Sequence, residues 1–273
     1  MARQPGVLAG VSPVEIARLV EQSMDRLFVA APGARLRQAD QRKAVEVAAL
    51  LIEIEAAVNR CGARAPLTLI DAAAGKSYVG LLAAELVLAA RGPAKSAVIA
   101  IEREPARAAV AAAAAQTLAA GLEHPVAIEV RVGDVGDRTL WPDRPDVVTA
   151  LHACGAAADI ILDCAIERQA RHLLLVPCCT GESVAAMAAA HVAADRAGIP
   201  RHAPVQRRFL QAFVDADRTL RLEAAGYETE VVEFCAPTVT PHNLLWRSRR
   251  VGEPTRQREA QARRARLLGA RLD

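Results

Sequence analysis

Short apolar runs alternate with longer stretches of helical periodicity along most of the chain. The apolar runs predict seven β-strands, at Leu67–Asp71, Ala97–Glu102, Ala127–Val132, Val147–Leu151, His172–Pro177, Glu228–Phe234 and Leu244–Arg249. The stretches between them predict helices at Tyr78–Arg91, Pro105–Ala120, Ala157–Gln169, Ser183–Ala197 and about Phe209–Ala225. Apolar runs without polar alternation are typical of parallel strands that are buried on both faces of a sheet.

This alternation predicts an α/β fold with a Rossmann-like, doubly wound sheet of seven mostly parallel strands. No helix separates the last two strands, and so we expect them to pair antiparallel with each other at one edge of the sheet. Two helices precede the first strand: one starts at the capping box Ser12-Pro13-Val14-Glu15 and is broken by Pro32-Gly33, and the other spans about Ala39 to Arg60. The predicted domains are an N-terminal helical cap (1–62), the α/β domain (63–250) and a basic C-terminal helix or tail (251–273).

The composition narrows the class of protein. A hydrophobic content of 52% is enough for a packed core. No apolar run reaches the roughly 18 uncharged residues of a spanning helix, and the N-terminus lacks a signal pattern, so we expect a cytoplasmic protein without a membrane partner. The six cysteines are spread through predicted strands and helices, which favours reduced thiols over a disulfide framework.

The charge is unevenly distributed. The chain carries a net charge of +3, but the segment from Arg247 to the end holds nine arginines and three acidic residues. The C-terminal segment is therefore basic and the rest of the chain is mildly acidic. Such a segment is suited to neutralising phosphates, and we expect RNA as a partner through it; DNA is not expected. A solvated or disordered end is the alternative interpretation of the same residues.

The residues from Asp71 to Tyr78 follow the first predicted strand and open a helix. A strand that ends in an acid, turns through small residues and starts a helix is the layout of a nucleotide-type cofactor site. Gly75-Lys76-Ser77 also resembles the end of a phosphate-binding P-loop, but that motif needs a glycine where this chain has Ile70. We therefore favour the D-x-G-x-G turn of class I S-adenosylmethionine (SAM) methyltransferases, with Asp71, Ala73 and Gly75 as its positions.

The next two strands also end in acidic residues. Ligands of this fold lie at the carboxyl ends of the strands. Glu102 ends the second strand and is expected to accept hydrogen bonds from ribose hydroxyls. Asp134 and Val135 follow the third strand and are expected to meet the adenine amino group and ring. An ordinary capping acid at Glu102 and a plain Gly-Asp turn at Asp134 are the alternatives.

Histidine and cysteine gather at the ends of the fourth and fifth strands. The fourth ends in Leu151-His152-Ala153-Cys154, and Cys178-Cys179 close the fifth. His152 can serve as a general base or position the methyl acceptor, with Cys154 and Cys178 beside it. A zinc site is a second interpretation, although the spacing is not the usual one for zinc, and we predict no metal. A third is that the cysteines are small buried residues.

These motifs together resemble a group of SAM-dependent methyltransferases that share a D-x-G-x-G-K-G-Y loop, a strand ending L-H-x-C-G-x-x-x-D and a later Cys-Cys pair. The eukaryotic acceptor-stem tRNA 2′-O-methyltransferases look similar in the second motif. The matching residues are Asp71, Gly75, Lys76, Tyr78, Leu151, His152, Cys154, Gly155, Asp159, Cys178 and Cys179. The Thr240-Pro241-His242-Asn243 run and the Lys43/Glu46 pair are also similar to the family, and the resemblance covers about residues 39–249.

The resemblance implies a SAM cofactor bound by Asp71, Ala73, Gly75, Lys76, Tyr78, Glu102, Asp134, Val135 and Leu151, with His152, Cys154 and Cys178 at the catalytic position. It implies methyl transfer to an oxygen or nitrogen atom, on tRNA or rRNA. Ala73 and Ser77 depart from the family because they replace loop glycines. Lys76 is expected to pair with the cofactor carboxylate or with Asp71. A small-molecule or protein methyltransferase, or a non-catalytic SAM-binding protein, is the alternative.

Overall fold

The computed structural model describes residues 8, 10–29, 36–62, 65–92, 95–179 and 181–269. Its seven strands are β1 (Thr68–Ala72), β2 (Ser96–Glu102), β3 (Val126–Val132), β4 (Val147–Cys154), β5 (His172–Cys179), β6 (Tyr227–Glu233) and β7 (Leu244–Arg250). Its α-helices are α1 (Pro13–Phe28), α2 (Gln38–Arg60), α3 (Tyr78–Ala83), α4 (Pro105–Ala119), α5 (Ala156–Glu167), α6 (Met187–Arg196), α7 (Ala203–Ala224) and α8 (Pro254–Leu267).

The strands form one sheet in the order β3-β2-β1-β4-β5-β7-β6. The pairs among β1 to β5 are parallel, whereas β7 pairs antiparallel with both β5 and β6. This confirms the predicted α/β fold with its antiparallel pairing at one edge. The order reverses between β1 and β4, which is where ligands bind in open α/β sheets.

The predicted strands and helices are confirmed, with most ends shifted by a few residues, whereas α7 begins at Ala203, six residues before the predicted Phe209. The largest difference is in the predicted helix Tyr78–Arg91, where α3 continues as a π-helical turn and then a 3₁₀ turn. The capping box of α1 forms as predicted: the Ser12 hydroxyl accepts from the Glu15 amide, and the Glu15 carboxylate accepts from the Ser12 amide. The predicted break at Pro32-Gly33 and the last residues of the predicted terminal helix lie outside the described residues.

The two N-terminal helices share a core with the sheet. Their fully buried apolar side chains belong to one hydrophobic cluster with residues of β1, α3, β2 and α4, and include Ile16, Val20, Met24, Val47, Leu51 and Ile54. Helix α2 also contacts β4 and β5 directly. Helices α1 and α2 are therefore bound to the sheet by continuous packing. No helix in the described part of the chain combines the length and apolar character needed to span a bilayer.

A buried ion-pair network joins α5 to α7. Arg218 is fully buried, and its Nε lies 3.1 Å from Oδ1 of Asp159, an oxygen that also accepts from Arg221 at 3.0 Å. Arg221 reaches the half-exposed Asp163 as well. Because Arg218 cannot reach water, its charge depends mainly on the hydrogen-bonded Asp159, with Asp215 3.7 Å away as a second carboxylate. The structure thus gives this motif aspartate a contact that holds two helices together.

Replacing Asp159 should destabilise the protein far more than replacing its neighbour on the same helix. Asp159→Ala leaves the Arg218 guanidinium buried without its main partner, and we expect a loss of about 3–5 kcal/mol in the free energy of unfolding. Asp163→Ala removes a half-exposed partner and should cost less than about 1 kcal/mol. Urea unfolding of both variants measures the difference; equal losses would contradict the structural role of Asp159.

Candidate active site

The carboxylate of Asp71 holds the turn between β1 and α3. Asp71 is almost fully buried, and its Oδ2 accepts from the Ser77 hydroxyl and from the Gly80 amide, both at 2.9 Å. Burial raises the pKa of Asp71 to about 7, partly offset by these two hydrogen bonds and by Lys43. The structure therefore places Asp71 beneath the loop, where it fixes the loop's shape.

Three residues of this turn have left-handed backbone. Ala73, Gly75 and Ser77 have φ values of 55°, 60° and 58°. A side chain in this region costs about 1–2 kcal/mol, which is why glycine is the usual choice. Ser77 recovers part of the cost through its bond to Asp71. Gly80, which no sequence motif had indicated, is needed for close approach, because a Cβ there would lie 2.7 Å from the Ser77 hydroxyl oxygen.

Glu102 at the end of β2 lies directly against this turn. Its Oε2 accepts from the Gly75 amide at 2.7 Å, and its Oε1 accepts from the Glu104 amide at 2.9 Å. Both oxygens keep a further lone pair for another donor. Asp134 is exposed after β3, and its Oδ1 accepts from the Gly136 amide at 2.7 Å. The side chain of Val135 is buried next to it.

His152 lies at an irregular position near the end of β4. Its φ is 63°, and the pairing of β4 with β5 shifts register on both sides of Ala153. Such a bulge re-aims a side chain out of the regular sheet. The His152 Nε2 contacts Oε2 of Glu46, which lies on α2 and is largely buried. Lys43, one turn earlier, has its Nζ 3.6 Å from the same oxygen.

Helix α2 thus contributes to the site. In the sequence, Lys43 and Glu46 stand out only through the family resemblance, and no pattern places them beside His152. Glu46 stands on the buried face of α2 among apolar residues such as Val47 and Leu50. A carboxylate on such a face is a signal in itself, because a buried charge needs a partner.

The structure joins Cys154 and Cys178 in a disulfide between β4 and β5, with their Cα atoms 5.4 Å apart. The expectation of reduced thiols throughout is therefore wrong for this pair: their positions at two strand ends predict that both lie near His152, but not that they are bonded. The sulfurs lie 3.5 and 3.6 Å from the carbonyl oxygen of His152. Cys179 is the last residue of β5 and pairs in register with Cys154.

No group of three or more metal-ligating side chains occurs among the described residues. In the disulfide, Cys154 and Cys178 also lack the thiolates that a zinc site requires. The structure thus adds no support to the zinc interpretation.

The remaining predicted residues lie around the same edge of the sheet. Lys76 is exposed and forms no ion pair with the described residues, so the expected pairing with Asp71 is absent; Lys43 is the lysine near that carboxylate. Tyr78 turns towards the N-terminal helices: its hydroxyl donates to Asp40 at 3.4 Å and its ring packs edge-on against Phe28. Leu151 is half-buried beside His152.

A family model for a methyltransferase domain matches residues 42–185, just over half of the chain. The chain belongs to this methyltransferase family. The match includes Glu46, the Asp71 turn, His152 and both cysteines of the disulfide. Family and sheet order together confirm the prediction of a class I SAM-dependent methyltransferase, with SAM as its cofactor. No curated protein matches the sequence.

Solved methyltransferases resemble the chain only distantly. The SAH-bound magnesium protoporphyrin IX methyltransferase of Synechocystis PCC 6803 is 13% identical, with 86% of this chain and 100% of that chain covered and a TM-score of 0.45. The SAH-bound methyltransferase PaMTH1 of Podospora anserina is 11% identical over 85% and 87%, with a TM-score of 0.49. A putative tRNA (m1A22) methyltransferase of Streptococcus pneumoniae is 13% identical over 72% and 67%, with a TM-score of 0.38.

The residues of the methyltransferase turn fit SAM. The turn directs Gly75 into open space, since a Cβ there would meet nothing within 4 Å. The Glu102 carboxylate beside it offers acceptor lone pairs to hydroxyl donors, and the exposed Asp134 offers the same one strand further along. Acceptors in this arrangement suit a ligand with ribose hydroxyls, an amino group and a positive charge.

The buried Asp71 should make the enzyme's stability depend on pH. Because its pKa rises from 3.8 unfolded to about 7 folded, its contribution is fully present below pH 4 and is lost as the pH rises through 7. In Asp71→Asn one amide oxygen can accept both hydrogen bonds, and this titration disappears. Between pH 5 and pH 8 the parent should lose about 2–3 kcal/mol relative to the variant.

Urea unfolding of both proteins at the two pH values measures this difference. Other groups cancel in the comparison, including His172, whose pKa burial lowers to about 4. Parallel pH profiles for the two proteins would contradict a raised pKa at Asp71.

Proposed function

We propose that the protein transfers the methyl group of SAM to an oxygen or nitrogen atom of RNA, in tRNA or rRNA, and that His152 acts as the general base. The contact between His152 and Glu46 carries this proposal. It sits at the carboxyl end of β4, next to the β1–β4 reversal where ligands of this fold bind. A base held by a carboxylate suits an acceptor that must lose a proton, such as a hydroxyl.

The geometry supports a division of work within the pair. In the tautomer whose Nε2–H donates to Glu46, the Nδ1 atom of His152 is unprotonated. It can therefore take the proton from the group that is methylated. Glu46 orients the ring and stabilises the imidazolium that forms. Lys43 has its Nζ 3.6 Å from the same Glu46 oxygen. When bound, SAM supplies a methyl group on a sulfonium, and the enzyme's main task is to align the acceptor with it.

The RNA substrate is supported by the C-terminal arginines and by the family resemblance. Helix α8 is docked on α7 through the buried Ala260 and an ion pair of 2.8 Å between Arg264 and Asp217. The arginines Arg258, Arg263 and Arg266 stay exposed on this helix. An ordered helix that presents several guanidinium groups suits the phosphates of a folded RNA.

His152→Ala should separate binding from chemistry. Calorimetry with S-adenosylhomocysteine should give an unchanged affinity, whereas turnover should fall by about 10²–10⁴. Glu46→Gln should lower turnover less, because the amide still holds the ring but no longer stabilises the imidazolium that forms. Turnover that is unchanged in His152→Ala would retire the base assignment.

When the protein is incubated with methyl-labelled SAM and a cell extract, the label should appear in the RNA fraction. Ribonuclease digestion should then release this label in acid-soluble form. The substitutions Arg263→Ala and Arg266→Ala together should weaken RNA binding and lower the slope of log affinity against log salt by about 0.7 for each phosphate that is no longer neutralised. Arg18→Ala with Arg60→Ala, two exposed arginines outside the C-terminal segment, is the charge-matched control. Label in the protein or small-molecule fraction would refute the RNA substrate.

A further inference from the structure

A cavity of about 420 Å³ lies beyond the carboxyl end of β5, between α7 and the β6–β7 loop. Cys178 and Trp246 line it on the side of the sheet, Arg207 and Arg208 from α7, and His242 from the loop. Trp246 is almost fully buried, so the sheet side is apolar, while both arginines and His242 are exposed at the cavity. The cavity thus combines an apolar wall with a cationic rim.

The two arginines of this rim have no carboxylate partner among the described residues. Arg218 and Arg221, further along the same helix, are both held in ion pairs. The lining contains one carboxylate in the described part of the chain, Asp215. Burial raises the pKa of Asp215, both its oxygens accept from the Gln211 amide group at 2.9 and 3.0 Å, and Arg218 stands 3.7 Å away. The charge that remains for a ligand is therefore positive.

The disulfide connects this cavity to the candidate base. Cys178 lines the cavity and is bonded to Cys154, and both sulfurs are within 3.6 Å of the His152 carbonyl oxygen. The cavity therefore borders the strand end that carries His152. The imidazole itself contacts Glu46 on α2, and α2 packs in a different hydrophobic cluster from Trp246 and α7. The cavity is on the side of β4 away from Glu102 and Asp134, because β5 and β7 follow β4 in the sheet and β1 to β3 precede it.

We propose that this cavity binds a phosphate group of the methyl acceptor and that Arg207 and Arg208 form hydrogen bonds with the phosphate oxygens. Planar guanidinium groups match phosphate oxygens bidentately, and paired arginines without competing carboxylates are suited to a dianionic or bridging phosphate. The inference that the ligand group is a phosphate depends only on the residues that line the cavity. That it belongs to RNA, and not to a free phosphorylated metabolite, rests on the proposed function.

Inorganic pyrophosphate tests the cavity without any assumption about the acceptor. The protein carrying Arg207→Ala and Arg208→Ala should bind pyrophosphate roughly tenfold or more weakly than the parent by calorimetry. The Arg18→Ala, Arg60→Ala control loses the same charge outside the cavity and should stay within about threefold of the parent. Equal weakening in both double variants, or a parent that does not bind pyrophosphate, would overturn the proposal. Unchanged S-adenosylhomocysteine affinity and urea midpoints establish that the variants fold.

A fluorescein-labelled 12-nucleotide RNA then distinguishes the two sources of phosphate. For RNA, Arg207→Ala with Arg208→Ala should lower the salt slope by about 1.4, as expected for two phosphate contacts on a single strand. An unchanged slope, with pyrophosphate binding still abolished, assigns the cavity to a free phosphorylated acceptor and refutes the RNA part. Absence of label transfer to RNA refutes the proposed function and leaves the pyrophosphate result as independent support for the anion site.

Discussion

The buried carboxylate of Asp71 is the constraint on which the site depends. One oxygen accepts from both Ser77 and Gly80, and so ties the start of α3 back to the end of β1. With this tie in place, the turn can hold three residues in left-handed backbone and press the Gly75 amide against Glu102. Without it, the unfavourable backbone at Ala73 and Ser77 would have no compensation, and Gly75 would not be held beside β2.

A second constraint comes from α2, which precedes the first strand in the chain. Glu46 reaches His152 because α2 lies across β4 and shares a continuous hydrophobic core with the sheet. The packing of Val47, Leu51 and Ile54 therefore sets the position of the carboxylate beside the imidazole. A helix that the sequence predicts as part of a cap thus forms one wall of the candidate active site. The packing of Val47, Leu51 and Ile54 thus affects both the stability of α2 and the orientation of His152.

The fold could be predicted because its signals are local, whereas much of the site could not. Apolar runs and capping residues marked every strand and nearly every helix, and strand ends marked Asp71, Glu102 and Asp134. The contact of Glu46 with His152 spans 106 residues, and the disulfide depends on a register shift at Ala153. Neither contact produces a periodic pattern of residues in the sequence. The left-handed backbone of Ala73 cannot be predicted from the residue type, because alanine rarely adopts this conformation. Only the comparison with the family's loop glycines suggests it.

Charge is divided along the carboxyl edge of the sheet. On the side of β1 to β3 the acceptors are the carboxylates of Glu102 and Asp134, in keeping with a cationic sulfonium cofactor. On the side of β5 and β7, Arg207 and Arg208 have no carboxylate partner among the described residues, in keeping with an anionic acceptor. His152 stands on β4 between them. Under the proposed function, these charges on either side of β4 would favour the cationic cofactor on one half of the edge and a phosphate-bearing acceptor on the other. On this proposal, reversing the charges of Glu102 and Asp134 would disturb the approach of the cofactor only, and reversing those of Arg207 and Arg208 would disturb the approach of the acceptor only.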